Sequence, residues 1–283
     1  MPKLRIYQVL LYLQNSVQSS NTSYRFTKNY IMAEKSKSDF FIYLIGIAII
    51  GFILFKIIGY ILPDQDPDYT GTLLLEAVMD KNGGKNAWNN VQKMSYKKSF
   101  QLFYEDGSIE KDLTENHAYD FTDGVNREVT WMQRDTLYEI HRSDSAIYQI
   151  KNGISDTLLT TKKLQSKLDA ATFVVGLPFT LDNPSATLTY EGTTEFQQTS
   201  CHVLKVTFQG SKDVWRHYYE EKTLAWKGYW VETSGHFSLV INEEMINVHG
   251  FMLSRKRKSY RTDADQNPTY LRATYAYDAY TIE

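Results

Sequence analysis

The stretch at residues 93–107, KMSYKKSFQLFYEDG, sets the architecture of this chain. Its larger side chains recur at every second position, so Tyr96, Phe100 and Leu102 lie on one face of an extended strand. The tripeptide EDG at 105–107 then provides a hairpin turn. This combination predicts the first strand pair of an antiparallel sheet.

The period of two continues through most of the chain, with turn signals between the runs. The strongest is the dipeptide Asn152-Gly153. The predicted further strands cover 108–115, 117–121, 128–133, 136–142, 146–151, 186–191, 202–208, 214–220, 223–232, 236–242, 246–258 and 270–281. About a dozen strands without alternating β-α units predict an α+β fold with a large, curled antiparallel sheet.

Two segments have helical rather than strand spacing. Apolar residues recur in that way from position 73 to 78, Gly83-Gly84 ends the helix, and a short second turn follows at 85–91. The sequence TTKKLQSKLDAATF at 160–173 places Leu164 and Leu168 on one stripe. We expect a short helix there, followed by an irregular apolar segment against the sheet.

Residues 40–62, FFIYLIGIAIIGFILFKIIGYIL, form the longest apolar run. As a helix this run reaches about 34 Å, enough to cross a hydrocarbon core of about 30 Å. Lys56 is its only charged residue. The run predicts a single transmembrane helix.

The flanks of this run predict its orientation. Basic residues dominate before it, and the acidic stretch PDQDPD follows at 63–68. The positive-inside tendency therefore makes residues 1–39 a cytoplasmic tail, 63–69 a linker, and 70–283 a domain in the periplasm of a Gram-negative cell, anchored in the inner membrane. A cleaved signal peptide is the alternative, but the apolar run exceeds a usual signal core and no small-x-small pattern follows Leu62.

The segment before residue 32 differs from the rest. The sequence MAEKSKS at 32–38 is typical of the start of a single-span protein. We hypothesise that Met32 is the initiator and that residues 1–31 are not translated. The alternative is a cytoplasmic tail without a fold.

Charge limits the class of partner. Residues 63–283 carry 24 Lys and Arg against 31 Asp and Glu, a net charge of −7, which argues against nucleic-acid binding. The one basic run, RKRK at 255–258, alternates between the two faces of a strand and cannot form one patch. It indicates either contact with anionic lipid head groups or a charged outer or edge strand.

The sequence contains no pattern that predicts a catalytic residue, a metal site or a cofactor. The six histidines are isolated, and no Gly-x-Ser-x-Gly elbow or phosphate-binding glycine loop occurs. The run Asp64-x-Asp66-x-Asp68 lacks the glycine and the final glutamate of a calcium loop, which favours an acidic linker. The lone Cys201 lies in an alternating run, typical of a packed strand residue.

A resemblance rests on the segment LLEAVMDKNGGKNAWNNV at 74–91, running into KMSY at 93–96, and on WRHYYE at 215–220. These residues resemble LolA/LolB-like envelope proteins, and the chain is similar to an uncharacterised Gram-negative family with this fold. The resemblance implies, over about residues 70–283, a half-open barrel with short helices on its concave face. It also implies a cavity for acyl chains of lipids or lipoproteins, although a membrane anchor departs from the soluble carriers.

Alternating apolar side chains on the predicted strands are the candidate cavity lining, and Trp226 and Trp230 are expected to share one strand face. The candidates are Tyr96, Phe100, Leu102, Leu204, Val206, Phe208, Leu224, Trp226, Trp230, Phe237 and Leu239.

Ordinary sheet cores alternate in the same way, so two functions stay open. The first is a noncatalytic module that binds a lipid or an acylated protein. The second is an adaptor whose core is filled by its own side chains. An enzyme is a third alternative, which clustered Asp, His and Lys in the cavity would favour. The sequence leaves the ligand and the oligomeric state undetermined.

Overall fold

The computed structural model describes residues 69–122, 126–233 and 235–283. Three predicted segments lie outside the described residues: the tail at 1–39, the transmembrane helix at 40–62 and the linker up to residue 68. The hypothesis that Met32 is the initiator concerns the first of them. Within the described part, no helix combines the length and apolarity that a membrane crossing requires.

Three helices and thirteen strands make up the described part of the chain. The helices are α1 (Gly71–Lys81), α2 (Lys85–Asn89) and α3 (Thr161–Val175), with a single 3-10 turn at Phe179–Leu181. The strands before α3 are β1 (Lys93–Phe103), β2 (Ile109–Asp120), β3 (Asn126–Gln133), β4 (Thr136–Arg142), β5 (Ile147–Lys151) and β6 (Ile154–Asp156). Those after it are β7 (Ala186–Phe196), β8 (Thr199–Phe208), β9 (Val214–Glu220), β10 (Trp226–Thr233), β11 (His236–Val248), β12 (Phe251–Thr262) and β13 (Pro268–Ile282).

The described strands form one antiparallel sheet in the order β6-β5-β4-β3-β2-β1-β13-β12-β11-β10-β9-β8-β7. Each half is a meander of hairpins, and the two halves join where β1 pairs with β13. At this junction Phe100 lies opposite Tyr275 on one side and Leu113 of β2 on the other. The predicted large, curled antiparallel sheet with short helices is confirmed.

Helix α1 lies directly on the sheet. The Thr70 side chain accepts a hydrogen bond from the Leu73 amide (3.2 Å) and caps its start. A Cβ at Gly71 would lie 2.6 Å from the Leu188 carbonyl on β7, so only glycine allows this approach. The buried face of α1 consists of Gly71, Leu74, Leu75, Val78 and Met79.

Helix α3 begins where the sequence predicts but continues to Val175, through part of the segment expected to be irregular. The Thr160 side chain caps it, and Leu164 and Leu168 are buried, as their spacing indicates. The Thr172 hydroxyl donates to the Leu168 carbonyl (2.9 Å) within the helix.

The β11–β12 hairpin differs from the prediction. The sequence indicated a break around Glu243 and Glu244, whereas β11 runs on to Val248 and the turn is formed by His249 and Gly250, both at positive φ. Glu243 pairs with Lys258 (2.6 Å) and Glu244 with Lys256 (2.9 Å) on β12. These cross-strand ion pairs keep two acidic residues inside a strand.

A bulge in β10 overturns the expectation that Trp226 and Trp230 share a face. The pairing with β9 shifts register between Trp226 and Gly228. Gly228 has φ +154°, and a Cβ there would lie 2.1 Å from the Val240 carbonyl oxygen. The extra residue reverses the alternation, so Trp226 packs in the core on the helix-covered face and Trp230 in a separate cluster.

Candidate functional site

The helix-covered, concave face of the sheet has one densely filled part, which we call the α1 region. Helix α1 packs there on strands β7 and β8, and the side chains at the centre of this part are completely or almost completely buried. They include Leu74, Leu75, Val78, Leu204, Val206, Tyr219 and Trp226.

The second part, which we call the α3 cavity, contains open space. It has a volume of about 540 Å³ and lies between α3 and seven neighbouring strands, from β3 through β1 and β13 to β10. That volume lies within the range of about 300–1,000 Å³ that is typical of small-molecule sites. Its apolar lining includes Phe100, Leu102, Val129, Val174, Val231 and Val240.

One wall of the α3 cavity holds a buried ionic cluster around Glu115. Its carboxylate lies 3.5 Å from the Lys98 amine, 3.3 Å from that of Lys167 on α3, and 3.2 Å from Nε2 of His117. Burial opposes ionisation, but the His117 hydrogen bond and the two lysine charges hold the pKa of Glu115 well below its usual range. Glu115 is therefore a carboxylate whose two oxygens are already engaged.

His117 extends this cluster into a line of hydrogen-bonded rings. Its Nδ1 lies 3.2 Å from the Tyr119 hydroxyl, which lies 3.0 Å from the Tyr96 hydroxyl. Burial lowers the pKa of His117, although Glu115 acts in the opposite direction. The cluster of acid, histidine and lysine that would favour an enzyme is thus present, but its members bind one another and leave no free base.

The floor of the α3 cavity contains Arg257, on β12. Only 2% of this residue is exposed, and its Nη2 donates to the Tyr277 hydroxyl. Its guanidinium lies 4.6 Å from the centre of the Tyr277 ring and 5.9 Å from that of Tyr275. Nε and Nη1 have no hydrogen-bond partner among the described residues.

The other basic residues of the 255–258 run lie outside the cavity. Arg255 pairs with Glu244 (2.8 Å), and Lys256 and Lys258 also pair with acids of β11. Strand β12 bulges at Arg255, between the pairs Met245–Ser254 and Glu244–Lys256, and Arg255 does not line the cavity with Arg257. Nor does β12 lie at an edge, since β11 and β13 flank it.

Polar contacts fasten α3 over the cavity. Asp169 accepts hydrogen bonds from Arg127 of β3 (2.9 Å) and Arg142 of β4 (3.2 Å). The Lys167 amine lies 3.7 Å from the centre of the Trp131 ring. Toward its C-terminal end, Phe173 meets Phe208 and Trp215 on the other side of the curled sheet.

The candidate lining residues divide into three groups. Tyr96, Phe100 and Leu102 line the α3 cavity. Leu204, Val206, Leu224 and Trp226 lie in the filled core of the α1 region, with Phe208 partly buried beside it. Trp230, Phe237 and Leu239 lie in the separate cluster with Cys201, Val203 and Tyr218.

That separate cluster is a small core of its own. The Trp230 ring donates to the Thr262 hydroxyl (3.1 Å), and the Tyr218 hydroxyl donates to Gln266 (2.8 Å). Cys201 is fully buried there as a free thiol, and burial raises its pKa to about 11. It is a packed strand residue rather than a reactive one.

The polar residues of the cavity were not among the candidates. The pattern Glu115-x-His117-x-Tyr119 places three polar side chains on one strand face, and this spacing could have indicated the cluster. No sequence signal separates Arg257 from its basic neighbours. Among the described residues, no group of three or more His, Cys, Asp or Glu side chains is placed to hold a metal ion.

No protein-family model matches the chain, and no curated protein matches it. Several solved structures are similar, and the three described next each share 8% sequence identity with this chain. A DUF1329 family protein from Desulfovibrio piger has a TM-score of 0.48 over 74% of this chain and 93% of its own. A putative outer membrane lipoprotein-sorting protein domain from Vibrio parahaemolyticus has a TM-score of 0.48 over 75% of this chain and 92% of its own.

The third is a LolA superfamily protein from Nitrosomonas europaea, with a TM-score of 0.47 over 76% of this chain and 94% of its own. A member of the LolA superfamily is therefore one of the solved structures to which this chain is similar. At this level of identity the likeness concerns the fold alone.

Proposed function

We propose that this protein is a noncatalytic binding module that holds a hydrophobic ligand, a lipid or an acyl chain, between α3 and the sheet. The observation that supports it is the α3 cavity, an open space of about 540 Å³ with a partly apolar lining, next to the filled α1 region. Empty apolar space forfeits contacts that close packing would supply, so a ligand that fills it restores them.

Burial of an acyl chain supplies enough free energy for such a function. About 300 Å² of apolar surface removed from water is worth roughly 7 kcal/mol at about 25 cal/mol per Å². Part of that gain offsets the lost freedom of the bound chain. The remainder suits a ligand that must also be released.

The second candidate function is an adaptor whose core is filled by its own side chains. The α1 region fits that description, but the α3 cavity does not. The central side chains of the α1 region leave no room for a ligand. The internally paired cluster around Glu115 supports the noncatalytic assignment, because a base or nucleophile has to be free to meet a substrate. Binding by the α3 cavity therefore accounts for more of the structure.

We further propose that the module faces the periplasm and is anchored in the inner membrane by the segment at 40–62. The apolar length of that segment and its basic N-terminal flank support this location. A reporter active only in the periplasm, fused after Glu283, should be active, and a reporter active only in the cytoplasm should be silent. The reverse pair of results would overturn the orientation.

The binding function is tested by filling the cavity. Ala171 lines the cavity from α3, whereas Lys163 lies exposed on the same helix. The full chain, stripped of lipid and held in amphipol, should bind the neutral fluorophore N-phenyl-1-naphthylamine, and dodecanol should displace it. Ala171→Trp should reduce this binding at least tenfold, and Lys163→Trp should leave it unchanged.

Mass spectrometry of the organic extract of the purified chain should identify the natural ligand. Two results would count against the proposal: a folded, lipid-free protein that binds no apolar probe, or equal binding by both tryptophan variants. The adaptor would then be the better account.

A further inference from the structure

The α3 cavity combines an apolar lining with an excess of positive charge. Its lining residues include Lys98, Lys111, Lys167, Arg257, Arg261 and Arg272, with Glu115 as the one acid. This arrangement is unexpected in a domain whose residues 63–283 carry a net charge of −7. Positive charge concentrated in a concave, low-dielectric site attracts anions.

Three of these six cations are already paired with acids. Lys98 and Lys167 pair with Glu115. Arg272 pairs with Glu110 (2.5 Å) and donates to the Phe103 carbonyl (2.7 Å). These three side chains are therefore part of the cavity wall and are already engaged by acids of the protein.

Arg257 is different because it is buried and incompletely bonded. Arginine stays protonated in proteins, yet no carboxylate of the described residues lies within ion-pairing distance of this one. Its Nη2 donates to Tyr277, which leaves the one hydrogen on Nε and the two on Nη1 unused. A buried charge in this state calls for an anionic partner.

A second arginine of the same strand adds positive charge to the cavity. Arg261 also lines the cavity from β12, and its Nη1 donates to the Ser238 hydroxyl (2.8 Å), another lining group. Neither residue is paired with an acid in the described part of the chain. The same space is bounded by Phe100, Leu102 and Val174, which offer only apolar contacts.

We propose that the ligand of the α3 cavity is an anionic amphiphile, with its carboxylate or phosphate group bound by Arg257 and its hydrocarbon tail against the apolar lining. This inference rests on the proposed binding function and names its ligand class. Charge-assisted hydrogen bonds of this kind are roughly twice as strong as neutral ones. The cavity therefore selects acids over neutral lipids of equal length.

The test compares ligands that differ only in their head groups. Displacement of N-phenyl-1-naphthylamine from the full chain in amphipol is measured with dodecanoate, dodecyl phosphate, dodecanol and inorganic phosphate. We expect at least one of the two anionic amphiphiles to bind ten times more tightly than dodecanol, and the stronger one identifies the head group. Inorganic phosphate alone should not displace the probe.

Arg257→Gln should abolish the preference, so that neither dodecanoate nor dodecyl phosphate binds more tightly than dodecanol. The control is Arg255→Gln, two positions away on the same strand but paired with Glu244 outside the cavity. It should keep the full preference. Arg257→Lys retains a charge and should keep part of the preference.

Different failures have different meanings. If dodecanol and both acids bind equally, or if Arg257→Gln keeps the preference, the head-group inference is wrong while the binding function stands. If no amphiphile binds, the binding function itself fails. If Arg257→Gln does not fold, the melting temperature of the unmodified chain tests the head-group inference instead. Dodecanoate or dodecyl phosphate must then raise that melting temperature more than dodecanol does.

Discussion

The α1 region and the α3 cavity lie on the same face of one sheet, yet the first is filled and the second is open. In the α1 region the helix approaches the strand backbone at Gly71 and inserts leucine and valine side chains. Over the cavity, α3 presents the small residues Ala170 and Ala171, and the sheet beneath it carries charged and phenolic groups. The cavity stays open because the alanine side chains of α3 are short. The charged and phenolic side chains of the sheet below are too polar to pack against this helix.

This difference predicts unequal tolerance of a buried charge. Leu204 is completely buried in the α1 region, so Leu204→Arg should lower the free energy of unfolding by more than about 4 kcal/mol or prevent folding. Leu102 lines the open cavity and is only partly buried, so Leu102→Arg should cost less than about 1 kcal/mol. Urea denaturation of both variants measures the contrast, and equal losses would show that the two regions do not differ in packing.

The bulge at Gly228 should be almost as sensitive. Any side chain there meets the Val240 carbonyl oxygen, and the Gly228 carbonyl accepts a hydrogen bond from the Trp226 ring (2.9 Å). Gly228→Ala should cost about 3 kcal/mol or more, since the strand must shift. A Cβ at Gly235 meets no atom within 4 Å, so Gly235→Ala is the control and should change the melting temperature little. A tolerated Gly228→Ala would contradict the assignment of Trp226 and Trp230 to different clusters.

Acidification should weaken the α1 region through His217. Neither ring nitrogen of this residue has a hydrogen-bond partner among the described residues, and burial lowers its pKa to about 3. Below its usual value of about 6.5 the unfolded chain binds a proton that the folded one does not, so stability falls as pH falls. Between pH 7 and pH 5 the loss should be about 2 kcal/mol.

Above pH 5 the Glu115 carboxyl contributes little to this loss, because its ordinary pKa is 4.5 and its folded pKa is lower still. His217→Phe should therefore reduce the pH dependence of the melting temperature in that range. His249→Asn, at an exposed turn, should leave it unchanged. An unaltered slope in His217→Phe would show that other groups cause the acid sensitivity.

Surface ion pairs should contribute least. Asp169 fastens α3 to Arg127 and Arg142, and Asp182 pairs with Lys85 of α2, beside the α1 region (2.5 Å). Both aspartates are substantially exposed, so Asp169→Asn and Asp182→Asn should each cost less than about 1 kcal/mol. A loss above 2 kcal/mol in Asp169→Asn alone would mean that ion pairs, rather than Leu164 and Leu168, hold α3 in place.

The sheet was predictable because alternation and turn dipeptides are local properties. Asn152-Gly153 marks its hairpin directly, and the strand at 93–103 alternates without interruption. The bulges were not predictable, because the alternation continues in phase through Gly228 and only pairing with β9 reveals the extra residue. The same is true of Glu243 and Glu244, whose place in a strand depends on lysines of β12.

The site was less predictable than the fold. A filled core and a cavity wall have the same apolar alternation, so the sequence could not assign Leu204 to one and Leu102 to the other. The distinction depends on which helix covers each strand. Arg257 differs from its basic neighbours because it alone of the four lines the cavity, where the Tyr277 hydroxyl of β13 accepts its hydrogen bond.

The position of the cavity over the junction of β1 with β13 has a consequence for biogenesis. Each meander consists of hairpins that form locally, whereas the junction joins distant residues, as in the 2.7 Å contact between the Ser95 and Thr281 hydroxyls, 186 positions apart. Such distant contacts close late and slowly. Lining residues come from both meanders and from the helix between them, so neither half of the domain alone can form the cavity. Ligand occupancy would therefore distinguish fully folded molecules from partly folded ones. A protein cleaved between β6 and α3 would bind its ligand again only after its two pieces reassociate.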